Sequence, residues 1–560
     1  MKCLAFVVLS LALVLAGCAG ASSTKSIALS DVVIRDLRCE YGVNPLGVDV
    51  TAPRLSWIMH SPSRGQVQAA YQILVASTPE KLADGTADLW DSGRVASDQT
   101  NQVEYRGKPL KSQARCCWKV RIWDKSGKVS LWSEPAFWSM GLLNEEDWHA
   151  RWIGATTKTQ TLLLRREFAV KPGLKRALAF VCGLGYYEMS LNGSKVGDDL
   201  LSPGWTKYDK TCLYDIHDIT PLLRKGRNAA GLLLANGMYN VTGGRYTKFT
   251  GSFGPLKAIC QIRLEYKDGS TEEVCTDENW RVSSGPITFS CVYGGEDYDA
   301  RLEPHGWNQP DFNDAEWQLA KLLDGPKGQL KGLSAAAVPI RTFDVLKPVH
   351  INKLKTNTTV YDLGQNAAII PRLVVTGKAG SVVRIIPAEL LTRDGSVDRV
   401  SCAPRGAPAF WQYTLDGSDS QTWFPKFFYH GCRYLQVVCN PADTNGRPPV
   451  IKSLEGIVVH SSSSPVGEFA CSNELFNRIH TLVRWAQRSN MMSVMTDCPH
   501  RERLGWIEQL HLNGPSLRYE FDLARLFTKA MNDMADSQLD NGLIPDTAPE
   551  YTVMKDGFRD

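Results

Sequence analysis

The sequence predicts a multidomain chain, with three consecutive β-rich modules followed by the first part of an all-helical domain. Three observations predict it. At 560 residues the chain exceeds what one hydrophobic core supports, so three to five domains are expected. From about Val32 to His460, apolar and polar residues alternate at period two in short runs bounded by turn residues. After His460 the period becomes that of a helix. The hydrophobic share of 43% and charged share of 22% are those of ordinary folded protein. A formal net charge of +4 over this length is nearly neutral and gives no reason to expect nucleic acid as a partner.

The first 18 residues read as an export signal. Met1-Lys2 leads an apolar run from Cys3 to Ala16, too short to span a bilayer. The run ends in Leu15-Ala16-Gly17-Cys18, which resembles the bacterial lipobox. On that reading residues 1–18 are a lipoprotein signal peptide, Cys18 becomes the lipidated first residue, and 19–30 form a Ser/Ala-rich tether. A plain secretory signal containing a cysteine stays open, and export follows from either. The expected location is the outer membrane or periplasm of a bacterium. No later stretch is apolar enough to cross a membrane, so the lipid anchor is the only membrane contact expected. Of the 15 cysteines, none outside the signal forms a CxxC pair or a His/Cys cluster with zinc spacing. Most read as small buried apolar residues, and no metal site is expected.

Residues 31–145 are the first module. Tyr71-Gln-Ile-Leu-Val-Ala76 and Trp118-Lys-Val-Arg-Ile-Trp123 alternate at period two, with turn signals at Asp91-Ser-Gly93 and Asp124-Lys-Ser-Gly127. About 110 residues of short strands suggest a fibronectin type III or immunoglobulin sandwich, with Trp123, Trp132 and Trp138 in or beside its core. The second module spans 150–335. Its clearest piece is a hairpin at Asn192-Gly193, since both turn residues must accept positive φ. It resembles the jelly rolls that precede catalytic domains in exported glycoside hydrolases. The third module, 345–460, carries Val360-Tyr-Asp-Leu-Gly-Gln-Asn366 and the alternating segment Phe424 to Val438. Its Asp362, Gln365 and Asn366 fit either a polar site or turn and edge chemistry.

The helical region is 465–560. Leu475, Ile479, Leu482, Val483 and Ala486 share one helical face behind a cap at Ser472 or Asn473. A second helix is expected from Pro515, with Leu523, Leu526, Phe527, Ala530, Met531 and Met534 as its apolar stripe and Gly542 as its stop. Two helices cannot bury their own stripes, so this domain is expected to be incomplete.

Between the two helices lies Thr496-Asp-Cys-Pro-His-Arg-Glu-Arg-Leu-Gly-Trp-Ile-Glu-Gln509, an irregular connection held by a helical frame. It carries three carboxylates (Asp497, Glu502, Glu508), two arginines, a histidine and a tryptophan. Hydrolysis of a glycosidic bond needs one protonated and one ionised carboxyl group, and inversion needs them ~6.5–9.5 Å apart. Burial against Trp506 would raise an acid's pKa, and Arg501 or Arg503 would lower it. His500 reads as a hydrogen-bonding partner rather than a base, and Cys498 as packing. The residue types alone equally fit a structural network of Arg501, Glu502, Arg503 and Glu508, and both readings stand.

The ten residues from Asp497 to Trp506 closely resemble the signature of bacterial α-L-rhamnosidases, glycoside hydrolase family 78. The module order is similar as well. The resemblance implies a fibronectin-like sandwich, a jelly roll of the rhamnosidase N-terminal type, a concanavalin-like sandwich, and the N-terminal part of an (α/α)6 barrel at 465–560. It implies inverting hydrolysis of terminal α-L-rhamnose from a glycan or glycoside, with no cofactor. Glu502 matches the general acid. Asp497, Arg501 and Trp506 match residues of the sugar pocket. Many members have a small residue, Gly and then Asp after the tryptophan, where this chain has Ile507-Glu508-Gln509, which makes Glu508 a further substrate-binding candidate. The family's general base lies farther downstream in the barrel than this chain extends. A non-catalytic carbohydrate-binding surface protein is the alternative that these features allow.

Overall fold

The computed structural model describes residues 29–155 and 160–553. The expected lipidation site, Cys18, lies outside the described residues. The first unit pairs a three-stranded sheet, with strands Val33–Cys39, Arg54–His60 and Val103–Glu104, with a four-stranded sheet of Trp90–Asp91, Gln68–Ala76, Arg115–Asp124 and Ala136–Ser139. Trp57, Trp118 and Trp138 fill the core between them. Trp138 is fully buried, whereas Trp123 and Trp132 are half-buried on the flank. A short helix, α1 (Pro79–Ala83), is capped by the Thr78 side chain.

The second unit has two six-stranded sheets. The hairpin at 192–193 forms as expected: Asn192 and Gly193 take φ of 51° and 86°, and Leu191 pairs with Ser194. The third unit is a ten-stranded sheet centred on the long strand Thr358–Thr376. Two of its strands, Ile287–Cys291 and Gly295–Asp299, come from sequence between the strands of the second unit, and the latter runs parallel to Phe410–Thr414. Gly295 makes this pairing possible: its φ is +125°, and a Cβ there would overlap the carbonyl oxygen of Phe410. One continuous apolar core runs from the second unit through the third and takes in Met492, Val494 and Leu504.

Helix α2 (Glu474–Asn490) starts at Asn473, whose side chain accepts the Leu475 N–H. It rests on the large sheet through Trp485 and polar contacts. Ser489 Oγ accepts the Ala368 N–H at 3.2 Å, and Arg488 Nε donates to His460 Nε2 at 3.1 Å. Its apolar stripe points the other way, so that Leu475, Phe476, Ile479, Leu482 and Val483 are exposed. A short helix, α3 (Glu508–Leu512), precedes Pro515, and the single helix expected from there is instead two pieces, α4 (Gly514–Glu520) and α5 (Ala524–Ser537). Pro515 sits in the first turn of α4, where its missing N–H costs nothing. Phe521 turns extended and bridges Pro465, which ends α4 before α5 begins. Leu517, Phe521, Leu523 and Leu526 then pack on Met491, Met495 and Ala337. No helix among the described residues is long and apolar enough to cross a membrane.

Candidate active site

The segment between α2 and α3 folds into a closed loop. The Asp497 N–H donates to the Leu504 carbonyl at 3.2 Å, and the Leu504 N–H returns to Asp497 Oδ1 at 3.3 Å. Inside the turn the Glu502 N–H reaches Cys498 Sγ at 3.3 Å, so the buried thiol packs and caps the backbone, as its sequence context suggested. Arg503 takes φ of +55°, which reverses the chain and sends its side chain away from the neighbouring carboxylates.

The β units hold this loop from outside. Tyr246 Oη donates to the Arg501 carbonyl at 3.2 Å, and Tyr293 Oη to the Glu502 carbonyl at 2.8 Å. The Gly431 N–H donates to the Pro499 carbonyl at 3.1 Å. A Cβ at Gly431 would overlap Pro499, so glycine lets the sheet and loop touch backbone to side chain. Arg503 is 3% exposed. It donates to the carbonyls of Val292 and, at 2.6 Å, Tyr429, and lies over the Tyr429 ring at 4.3 Å. The sequence reading gave it a share in tuning the acids, but the structure makes it an anchor, because its guanidinium is spent on β-unit carbonyls and rings. His500 is buried, 3.1 Å from Glu389 Oε1 and stacked at 5.4 Å on His430. On the far side the Ala548 N–H donates to the Gly505 carbonyl at 2.8 Å, and Trp506 bridges Thr547.

Glu502 is half-buried, and both carboxylate oxygens are occupied. Trp506 Nε1–H donates to Oε2 at 2.9 Å, and Lys248 Nζ lies 2.9 Å from Oε1. Trp506 is thus both a half-buried indole plate and a hydrogen-bond donor that orients the acid. Asp497 is half-buried in the same loop, and burial pushes its carboxyl above the ordinary aspartate value against the Cys498 and Leu504 contacts. Arg501 is exposed beside them. Glu508 opens the first turn of α3, where a carboxylate faces free N–H groups, and accepts a long contact of 3.5 Å from Gln509 Nε2. The loop therefore gathers Asp497, Arg501, Glu502 and Trp506, with Glu508 one turn further on. Of the polar group in the third unit, Asp362 is taken up by Arg433 at 2.7 and 2.8 Å, and Asn366 donates to Glu389 at 2.9 Å.

Lys248, Tyr246, Tyr293 and Glu389 were not singled out by sequence reasoning. They lie in other modules, and nothing local to them distinguishes them from surface or core residues. Chemically, the arrangement offers one carboxyl group held by an indole N–H and an ammonium, a second in a desolvated position, an exposed guanidinium and a half-buried indole. That set can transfer a proton and bind hydroxyl groups.

Comparison with known proteins follows the same order of parts. Residues 34–144 match the Rha78A-like N-terminal immunoglobulin domain, and 173–342 match the alpha-L-rhamnosidase N-terminal domain. Residues 352–460 match the bacterial alpha-L-rhamnosidase concanavalin-like domain, and 464–559 the bacterial alpha-L-rhamnosidase six-hairpin glycosidase domain. An alpha-L-rhamnosidase of Formosa agariphila is 34% identical over 529 residues, covering 89% of this chain and 55% of the relative. The chain thus spans little more than half the length of that relative. The alpha-L-rhamnosidase of Dictyoglumus thermophilum superposes with a TM-score of 0.88 at 35% identity, over 95% of this chain and 60% of that one. That of Streptomyces avermitilis, solved in complex with L-rhamnose, gives 0.85 at 28% identity, over 93% and 66%. By its four consecutive domains and these relatives, the chain belongs to the bacterial α-L-rhamnosidases of glycoside hydrolase family 78.

Proposed function

We propose that this protein takes part in releasing terminal α-L-rhamnose from a polysaccharide or glycoside by inverting hydrolysis, with Glu502 as the general acid. The observation that carries this is the Glu502 carboxylate, fixed by Trp506 on one oxygen and Lys248 on the other, in a loop anchored on three sides. In the reaction Glu502 protonates the departing glycosidic oxygen while a water attacks the anomeric carbon from the opposite face. Asp497 and Arg501 bind rhamnose hydroxyls, Trp506 packs beside the sugar, and Glu508 is a further sugar ligand one turn on. We place the water-activating base in the additional length that the relatives have and this chain does not match. Export as a lipoprotein through Cys18 is part of the proposal and rests on the N-terminal sequence alone.

The test is rhamnose release from an alkyl α-L-rhamnoside, with the first-formed anomer read by NMR. Glu502→Gln is expected to lower the rate by about 10²–10⁴-fold while rhamnose binding survives. Near-normal turnover by that variant would remove Glu502 from the role. Rhamnose binding by the 560-residue chain without any release would favour the non-catalytic binding protein.

A further inference from the structure

Behind the catalytic loop, His500 meets two side chains of the third unit, Glu389 and Cys402, that lie far earlier in the chain. Glu389 follows the strand Val382–Ala388, Cys402 caps the turn Arg399–Ser401, and His500 belongs to the loop itself. Their ligand-type atoms all lie within 4.8 Å of one another. Cys402 is fully buried and His500 is 2% exposed. We propose that Glu389, Cys402 and His500 bind a zinc ion that cross-links the catalytic loop to the large sheet.

The donor set argues for zinc. One sulfur, one imidazole nitrogen and one carboxylate oxygen suit a borderline-soft cation, whereas calcium and magnesium take oxygen ligands in greater number. The spacing agrees. His500 Nε2 and Glu389 Oε1 are 3.1 Å apart, and two ligands each about 2.0 Å from a tetrahedral zinc stand about 3.3 Å apart. Little movement is needed to admit the ion between them.

The imidazole turns Nε2 towards Glu389, so Nε2 is the nitrogen that the ion would take. Asn366, which donates to Glu389 Oε1 at 2.9 Å, supplies the outer hydrogen bond that commonly orients a ligating carboxylate. Binding replaces the Cys402 thiol proton with the metal, so that one proton leaves per ion bound. The carboxylate and thiolate together then balance the two positive charges, and a water completes four-coordination.

This inference does not depend on the proposed hydrolysis, and its test needs no turnover. The whole purified chain is stripped with a chelator, titrated with zinc and then dialysed, with metal content read by mass spectrometry. About one zinc per chain is expected to remain after dialysis, and none in excess of background in Cys402→Ser. Cobalt substitution should give a thiolate-to-metal charge-transfer band in the wild type that Cys402→Ser lacks. Cys439→Ser, a buried cysteine outside the cluster, should keep both signals. No retained zinc and no cobalt band in the wild type overturns the proposal. So does zinc retained equally by Cys402→Ser, which would put the ion elsewhere.

Discussion

Replacing Arg503 by methionine removes the guanidinium that ties the 496–509 loop to the β units while keeping most of the buried side-chain volume. The wild-type side chain makes two charge-assisted hydrogen bonds, to the carbonyls of Val292 and Tyr429, and lies over the Tyr429 and Phe428 rings at 4.3 and 5.2 Å. Hydrogen bonds to charged groups contribute about 1.5–3 kcal/mol each, and a desolvated cation–π contact about 2 kcal/mol. Against this stands the cost of burying the charge, several kcal/mol, with Nε left without a partner. The substitution relieves that cost but strands two buried carbonyls at about 1–3 kcal/mol each. We expect a net local loss of about 3 kcal/mol. At 1.4 kcal/mol per tenfold that is roughly a hundredfold in the opening equilibrium of the loop. Hydrogen exchange of a peptide covering 496–509, read by mass spectrometry, measures it directly, with peptides from the first unit as internal control. Arg503→Lys, with one ammonium for two carbonyls, should fall between. Exchange in Arg503→Met within about threefold of wild type would refute the reasoning. It would mean that the guanidinium contributes volume and nothing more.

Two further perturbations probe the same architecture. Gly431→Ala should push Pro499 off the sheet, because the added Cβ overlaps its ring. The expected result is a cost of about 1–3 kcal/mol in thermal stability and faster exchange in the loop, and an unchanged loop would contradict the close approach. Glu296 is fully buried and accepts the Lys426 and Phe427 N–H groups, and burial pushes its carboxyl up to about 7. A folded-state value raised above the unfolded one gives stability that is complete below about pH 4.5 and lost as pH rises to about 7, worth about 3 kcal/mol in all. The wild-type melting temperature should therefore fall more between pH 5 and pH 8 than that of Glu296→Gln. Parallel profiles for the two proteins would exclude this assignment.

Local rules explain what could be read early. The Asn192-Gly193 turn follows from two residues that tolerate positive φ, and the start of α2 from an asparagine that caps a free N–H. Both depend on neighbours a few positions away. The helix expected from Pro515 broke into α4 and α5 because packing overrode period. Phe521 and Leu523 reach Met491 and Ala337 only if the chain kinks between them. The stripe on α2 was legible as a stripe, but nothing local shows that polar contacts at Ser489 and Arg488 would dock the opposite face.

The sequence by itself determined the module order, the helical and β periods and the ten-residue signature from Asp497 to Trp506, which identified the family. Those properties live in composition and short-range spacing. Only the tertiary structure decided what surrounds the loop. It brought Lys248 to Glu502, turned Arg503 into an anchor, and set Glu389 and Cys402 against His500. Each of these contacts joins residues far apart along the chain, and their distances follow from how the sheets stack, which no stretch of sequence carries on its own.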